Sequence, residues 1–283
     1  GNLMTKQHTA KALACLARNI PEIQARLALE GAVKPLTVLL ASDSIETQES
    51  AVIALLGLAS HPDSRVIVVT RLVGVLLEKN TAAQLKAAEA LAWLAARSSV
   101  QRATITQVGA IDPLVKLLGN GHRADRNTPP ERAAAALADL ARIAESKVEI
   151  AKAGGIHPLV NMLSSSCEES QTHAVCALRH LSTVTDNKQA ITSMGGIPRF
   201  VTMLVDGTAE GQRHTAHALW QLAVSADSKA AIVQAGGIPP LVALIRRSDP
   251  NDASKEDLRA FAETKESAAA VLSELARSQG GNR

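Results

Sequence analysis

Five side chains with the chemistry to bind a metal or to act as nucleophile and base recur at helical spacing. His173, Cys176 and His180 stand at i, i+3 and i+7, and His214 and His217 follow at the equivalents of the first two, 41 residues on. Residues three or four apart on a helix lie about 5–6 Å from one another. Imidazole and thiolate together suit zinc, and helices packed about 8–10 Å apart would let both segments contribute. The spacing matches no compact Cys/His zinc signature, however. A nucleophilic reading makes Cys176 the attacking group and His173 or His180 its base, but names no orienting third group and no oxyanion site. The same side chains also make an uncharged, partly aromatic contact surface, whose histidines would titrate near pH 6.5. The reading adopted is this contact surface, with no catalytic residue, no bound metal and no cofactor.

Other chemistry is sparse. No phosphate-binding glycine loop, HExxH or GxSxG occurs. Glu168-Glu169 reads most simply as the acidic first turn of a helix. Thirty basic and 27 acidic residues leave a net charge of +3, too balanced to point to nucleic acid or an anionic membrane. Two Phe and no Tyr leave almost no stacking platform for bases. No apolar run approaches the roughly 18 residues of a membrane span. Three cysteines in no even framework fit a reducing, intracellular and cytoplasmic setting, the nucleus included.

The elements that would carry these residues are written as a repeat. One phrase, Gly-small-branched-x-Pro-Leu, begins at Gly31, Gly109 and Gly154, and returns with shifted or doubled proline at Gly195 and Gly236. The glycine ends a helix in the left-handed region, and the proline suits the first turn of the next. A second phrase, Ala-x-x-Leu-x-x-Leu, places leucine pairs at 13/16, 55/58, 91/94, 137/140, 178/181, 219/222 and 272/275. Its spacing is helical, and its period, 41 residues from Leu137 to Leu178 and again to Leu219, is that of stacked helical repeats. Aliphatics within a 46% hydrophobic content supply the core of such a stack, whose stability is shared between neighbouring units.

These two phrases together resemble the armadillo repeat over roughly residues 6–278. The resemblance implies an all-α, right-handed armadillo-type α-solenoid, a superhelix of three-helix repeats whose third helices line a concave groove for an extended peptide or partner protein. With the first leucine of each third helix as origin, the positions five before, two before and two after face away from the core stripe, and the resemblance makes them the groove. The groove residues expected to meet a partner are Lys86, Glu89, Trp93, Arg132, Asp139, His173, Cys176, His180, His214, His217 and Gln221. Trp93 falls at the centre of the face, placed as an anchor for a partner side chain. Trp220 falls on the flank, where packing between repeats is the expectation.

The row departs from peptide-binding relatives. Where they carry a ladder of Asn, this chain has Cys15, Gly57, Trp93, Asp139, His180, Gln221 and Glu274. Where importin-like members carry Trp, it has Lys11, Ile53, Glu89, Ala135, Cys176, His217 and Ala270. The departure disfavours a nuclear-transport cargo adaptor and leaves a non-enzymatic protein-interaction scaffold as the reading, with a metal- or cysteine-dependent enzyme at the His/Cys cluster as the alternative of another class. No feature sets an oligomeric state.

Along the chain, residues 1–19 read as a third helix without its first two. Residues 20–279 read as six repeats in a single solenoid domain, and 280–283 as a tail. The 62–97 unit lacks the glycine corner, so its first helix is expected truncated or distorted. Residues 119–130 and 247–264 read as enlarged loops, the second with a short helix over 256–263. Thr128 and Glu131 mark a helix start, as N-cap and third residue.

Overall fold

A computed structural model describes residues 3–17, 20–119, 126–247 and 254–279. Residues 120–125, 248–253 and the 280–283 tail, on which parts of the loop and tail expectations fall, lie outside them. Among the described residues there are eighteen helices and no strand.

The chain divides into two compact units, and a boundary between them falls within one short helix at residues 146–147. The first unit opens on α1 (Leu3–Ala17), followed by α2 (Pro21–Leu29), α3 (Val33–Leu39) and α4 (Ile45–Leu58). Then come α5 (Pro62–Leu76), α6 (Thr81–Arg97), α7 (Ser99–Gln107), α8 (Ile111–Leu118) and α9 (Pro129–Leu140). Helix α10 (Ala144–Lys152) carries the boundary. The second unit holds α11 (Ile156–Met162), α12 (Glu168–Leu181), α13 (Thr185–Ser193), α14 (Gly196–Asp206), α15 (Ala209–Leu222), α16 (Ala226–Gln234), α17 (Ile238–Arg246) and α18 (Lys255–Gln279). Third helices pack side by side within each unit, α1 on α4 and α6 on α9 in the first, α12 on α15 and α15 on α18 in the second.

The corners form as the repeated phrase dictates. Gly31, Gly109, Gly154, Gly195 and Gly236 all take φ between +74° and +86°, where a side chain would be strained. Five residues after each of them a large apolar side chain enters the core: Leu36, Leu114, Leu159, Phe200 and Leu241 are at most 1% exposed. The leucine pairs of α4, α6, α9, α12 and α15 are equally enclosed. Several third helices begin on side-chain caps: Ser44 Oγ accepts from the Thr47 N–H at 3.3 Å, Asn80 Oδ1 from Ala83 at 3.0 Å and Thr208 Oγ1 from Gly211 at 3.1 Å. Each satisfies a donor that the helix start leaves open. Thr128 and Glu131 do stand at the N-cap and third position of α9.

A buried polar residue sits in the opening helix of each repeat: Gln24, Ser64, Gln101, Ser146, Asn187 and Ser228. Several bond to carbonyls at the end of a preceding helix. Gln24 Nε2 donates to Ala17 O at 2.7 Å, Ser64 Oγ to Leu58 O at 2.5 Å, Gln101 Nε2 to Ala59 O at 2.9 Å and Asn187 Nδ2 to Leu181 O at 3.2 Å. Helix C-termini leave carbonyls without intrahelical partners, and these side chains satisfy them while pinning one repeat to the next.

Two elements differ from the expected loops and helices. In the 62–97 unit the first two helices are one: α5 runs unbroken from Pro62 to Leu76, because no corner glycine interrupts it. In the last repeat the short helix expected over 256–263 is the first part of α18, which continues to Gln279. Ser254 and Asp257 start it reciprocally: the Asp257 N–H donates to Ser254 Oγ at 3.1 Å, and the Ser254 N–H to Asp257 Oδ2 at 3.2 Å, a capping box. No glycine or proline follows until residue 280, so nothing stops the helix where the loop was expected to end.

Candidate functional site

Each unit carries a pocket on its third helices. In the first, α4 and α6 flank a trough of about 520 Å³ lined by Glu49, Ile53, Leu56, Lys86, Glu89, Trp93 and Arg97, among others. Trp93 is 57% exposed at its wall. Lys86 Nζ meets Glu89 Oε2 at 3.0 Å, so these two largely neutralise one another beside the indole. The other first-unit members of the expected row lie outside this trough. Arg132 is held by Asn127 Oδ1 at 2.7 Å and by the buried Glu131 at 3.3 Å, and Asp139 faces Arg142 at 3.6 Å.

In the second unit, α12, α15 and α18 enclose a pocket of about 260 Å³ lined by Arg179, Arg213, His214, His217, Trp220, Glu263, Glu266, Ser267 and Ala270. His217 and Trp220 meet edge to face, with ring centroids 5.3 Å apart at 89°, a favoured aromatic arrangement. Gln221 lies 3.4 Å from His217 Nε2. Arg179 Nη2 donates to His180 Nε2 at 2.8 Å. His173 and Cys176 are half-buried on α12 and do not line the pocket. Among the described residues no group of three or more His, Cys, Asp or Glu side chains is placed to hold a metal ion.

His214 departs from the expected open groove. It is 4% exposed, because the long α18 packs along α15 and sets Glu263 3.5 Å from the neighbouring Arg213. Its Nε2 faces Glu210 Oε1 at 3.5 Å, and its Nδ1 is buried without a hydrogen-bond partner among the described residues. Burial pushes its pKa below the usual histidine value, with Arg179 and Arg213 adding to the effect and the Glu210 carboxylate opposing it. Burial likewise lowers His217, followed by the Arg179 charge. The hydrogen bond from His214 holds the Glu210 carboxyl below its ordinary range.

The sign for stability follows. A histidine depressed in the folded state binds fewer protons there than in the unfolded chain, so stability falls as pH drops below the unfolded value of about 6.5 and is fully present above it. Melting of the chain at pH 5.5 is expected at a lower temperature than at pH 7.5, and His214→Gln should reduce the difference, His217 keeping part of it. The stability contributed by the lowered Glu210 carboxyl is present above the usual carboxylate range and is lost only as pH falls through and below it, so it adds no slope between these two pH values. Equal slopes in parent and variant would remove His214 as the source.

Of the residues expected in the groove, Lys86, Glu89 and Trp93 line the first pocket and His214 and His217 the second; Trp220, expected as packing between repeats, also lines the second, together with Arg179, Arg213, Glu263 and Glu266, which the sequence reading did not single out. The signal for Trp220 was present: Arg179 and Trp220 each follow the first leucine of their third helix by one residue, 41 apart. Both edge onto the same pocket because neighbouring third helices lie side by side.

A family model described as the armadillo/β-catenin-like repeat matches residues 144–183. No curated protein matches the chain. The crystal structure of one engineered protein is 31% identical with a TM-score of 0.72; the match covers 97% of this chain and 65% of that one, so this chain spans about two thirds of its length. A second engineered protein is 30% identical with a TM-score of 0.69, the match covering 87% of this chain and 97% of the other. A designed armadillo repeat protein in complex with the peptide (KR)4 is 24% identical, with a TM-score of 0.65 over 85% of this chain and 98% of that one. The repeat match and the likeness in fold to these solved scaffolds agree with the corners and third helices described above: this chain belongs to the armadillo-repeat family, as an all-α armadillo-type solenoid.

Proposed function

We propose that this protein is a non-enzymatic scaffold that binds an extended segment of a partner protein along the face of its third helices. The observation that carries this reading is Trp93: a large aromatic side chain, 57% exposed, at the wall of a trough floored by Ile53 and Leu56 and edged by charged groups. A rigid indole beside a polar rim is the usual make-up of an interaction anchor. The fold supports an extended ligand, since a designed protein of the same architecture is found with the peptide (KR)4. The occupant here is not expected to copy that peptide, because the Trp and Asn rows of such relatives are absent from the equivalent positions.

Affinity capture from lysate tests the reading, comparing the parent chain with Trp93→Ala and with His217→Glu. Truncating an anchor of this kind costs about 2 kcal/mol or more of binding, so a captured partner should be retained at least roughly tenfold less well. Trp93 is largely exposed, so Trp93→Ala should melt like the parent, whereas His217 is half-buried against Trp220, and its variant is compared at a temperature where melting shows it folded. A partner captured equally by all three proteins would move the interaction off this face.

A further inference from the structure

Among the described residues, Arg179 is the cation of the second-unit pocket for which no carboxylate stands within ion-pair distance. Arg213 is engaged by Glu263 at 3.5 Å and Glu210 at 3.8 Å, and Glu263 also takes Arg259 at 3.2 Å. Elsewhere, half-buried Lys86 and Lys229 meet Glu89 and Glu274 at 3.0 and 3.4 Å, and Arg102 and Arg199 donate to backbone carbonyls at 2.8 and 2.9 Å. Arg179 instead donates Nη2 to His180 Nε2, and its Nε is buried with no hydrogen-bond partner among the described residues. Its charge is felt by both His214 and His217, whose protonation it opposes. A half-buried guanidinium facing imidazoles is electrostatically incomplete, and an arginine fork is shaped for a carboxylate.

We propose that this pocket is a subsite for one acidic side chain of the bound segment, its carboxylate on Arg179 and its methylenes against Trp220 and Ala270. The proposal rests on the groove reading above and names the chemistry one position of the ligand must have. The charge count selects a single carboxylate over a phosphate. Arg213 is already neutralised, so one cation is left for one negative charge, and the exposed Glu266 on the opposite wall repels a second. The residue next to the acid, on the α18 side, is therefore neutral or basic. An all-basic ligand has nothing to place on Arg179.

Selection of random decapeptides displayed on phage against the full chain tests this, run on the parent, Trp93→Ala, Arg179→Gln and Arg179→Glu. Peptides selected by the parent should share Asp or Glu at one position. Arg179→Gln should lose that preference and Arg179→Glu should exchange it for Lys or Arg, while Trp93→Ala keeps it. A selected peptide resynthesised with Gln for Glu should bind the parent about tenfold more weakly or worse, as expected for loss of a charged hydrogen bond, and Arg179→Gln less than about twofold. The Glu/Gln pair on the parent chain decides the matter even if a variant misfolds, and Arg179→Lys, keeping the charge without the fork, should keep part of the preference. Selected peptides without a shared acid, or an acid equally preferred by Arg179→Gln, would overturn the subsite and leave the groove reading standing. A parent chain that selects no peptide would overturn both.

Discussion

Replacing Gly57 with valine is expected to unseat α1 from α4. Gly57 lies in the last turn of α4, and a Cβ added there would stand 2.6 Å from the Ala17 carbonyl oxygen and 3.0 Å from the Ala17 Cβ. The obstacle is backbone, so no rotamer change relieves it. That carbonyl also accepts the hydrogen bond of the buried Gln24 at 2.7 Å, and moving it strands a buried amide. Overpacking costs about 1–3 kcal/mol and an orphaned buried donor about 1–3 more. In an array whose members touch mainly their neighbours, the loss appears as local undocking before global unfolding. Hydrogen exchange should show α1 amides losing protection by about two orders of magnitude or more, what roughly 3 kcal/mol amounts to, with α13 to α15 unchanged. Gly57→Ala should show the same direction with a smaller size. Unaltered protection in the valine variant would mean that the close approach of α1 does not hold it in place.

Gly57 also illustrates where sequence reasoning stops. Counted along α4 it belongs to the groove row, and it does border the Trp93 trough. Its closest neighbour, however, is the end of α1, forty residues earlier. Periodicity specifies which side of a helix faces the core, but not how near the next helix comes. The corners were legible because each is a local event: a glycine that must turn left-handed and a proline in the turn after it. The fused α5 was half legible, since a missing glycine announces a missing corner but not that the two helices join. The length of α18 was written in Ser254 and Asp257, a capping box inside a polar stretch that otherwise reads as loop.

The buried polar row and the second-unit pocket were not legible for a different reason. A lone Gln24 or Asn187 on a short amphipathic helix reads as solvent-facing. Its burial makes sense only once open carbonyls of a preceding helix are brought against it. His214 was expected in the groove by angle alone, and it is burial under the packing of α15 with α18 that removes it from water. Arg179, Trp220 and Glu263 come from three repeats, so the pocket exists only in the packed unit. The His/Cys spacing that first suggested metal chemistry is real on α12, yet packing sets His214 and His217 beside Arg179 and Arg213, and no group of three or more His, Cys, Asp or Glu is placed to hold a metal ion among the described residues.

Phe200→Ala is expected to cost the second unit about 3–5 kcal/mol, the range for emptying a fully buried aromatic site. The repeat itself provides the control. Phe200 is fully buried in α14 at the position where the other corners place Leu36, Leu114, Leu159 and Leu241, each at most 1% exposed. This repeat also differs in its corner, Gly-Gly-Ile-Pro-Arg, where proline stands one residue earlier than in Gly-Gly-Ile-His-Pro, and Arg199, in place of that proline, donates to Val160 O at 2.9 Å. If the site is a generic leucine socket of the fold, Phe200→Leu should cost about 1.5 kcal/mol or less, as near-isosteric apolar exchanges do. If the shifted corner has shaped the socket around the ring, leucine should leave a void and cost close to what alanine does. Urea unfolding followed by amide exchange in α13 to α16 separates the cases. A large gap between the two variants makes the corner interchangeable between repeats, and a small gap makes the fourth corner and its phenylalanine a matched pair. Either result excludes a peripheral role for Phe200, which would require the alanine variant to unfold with the parent.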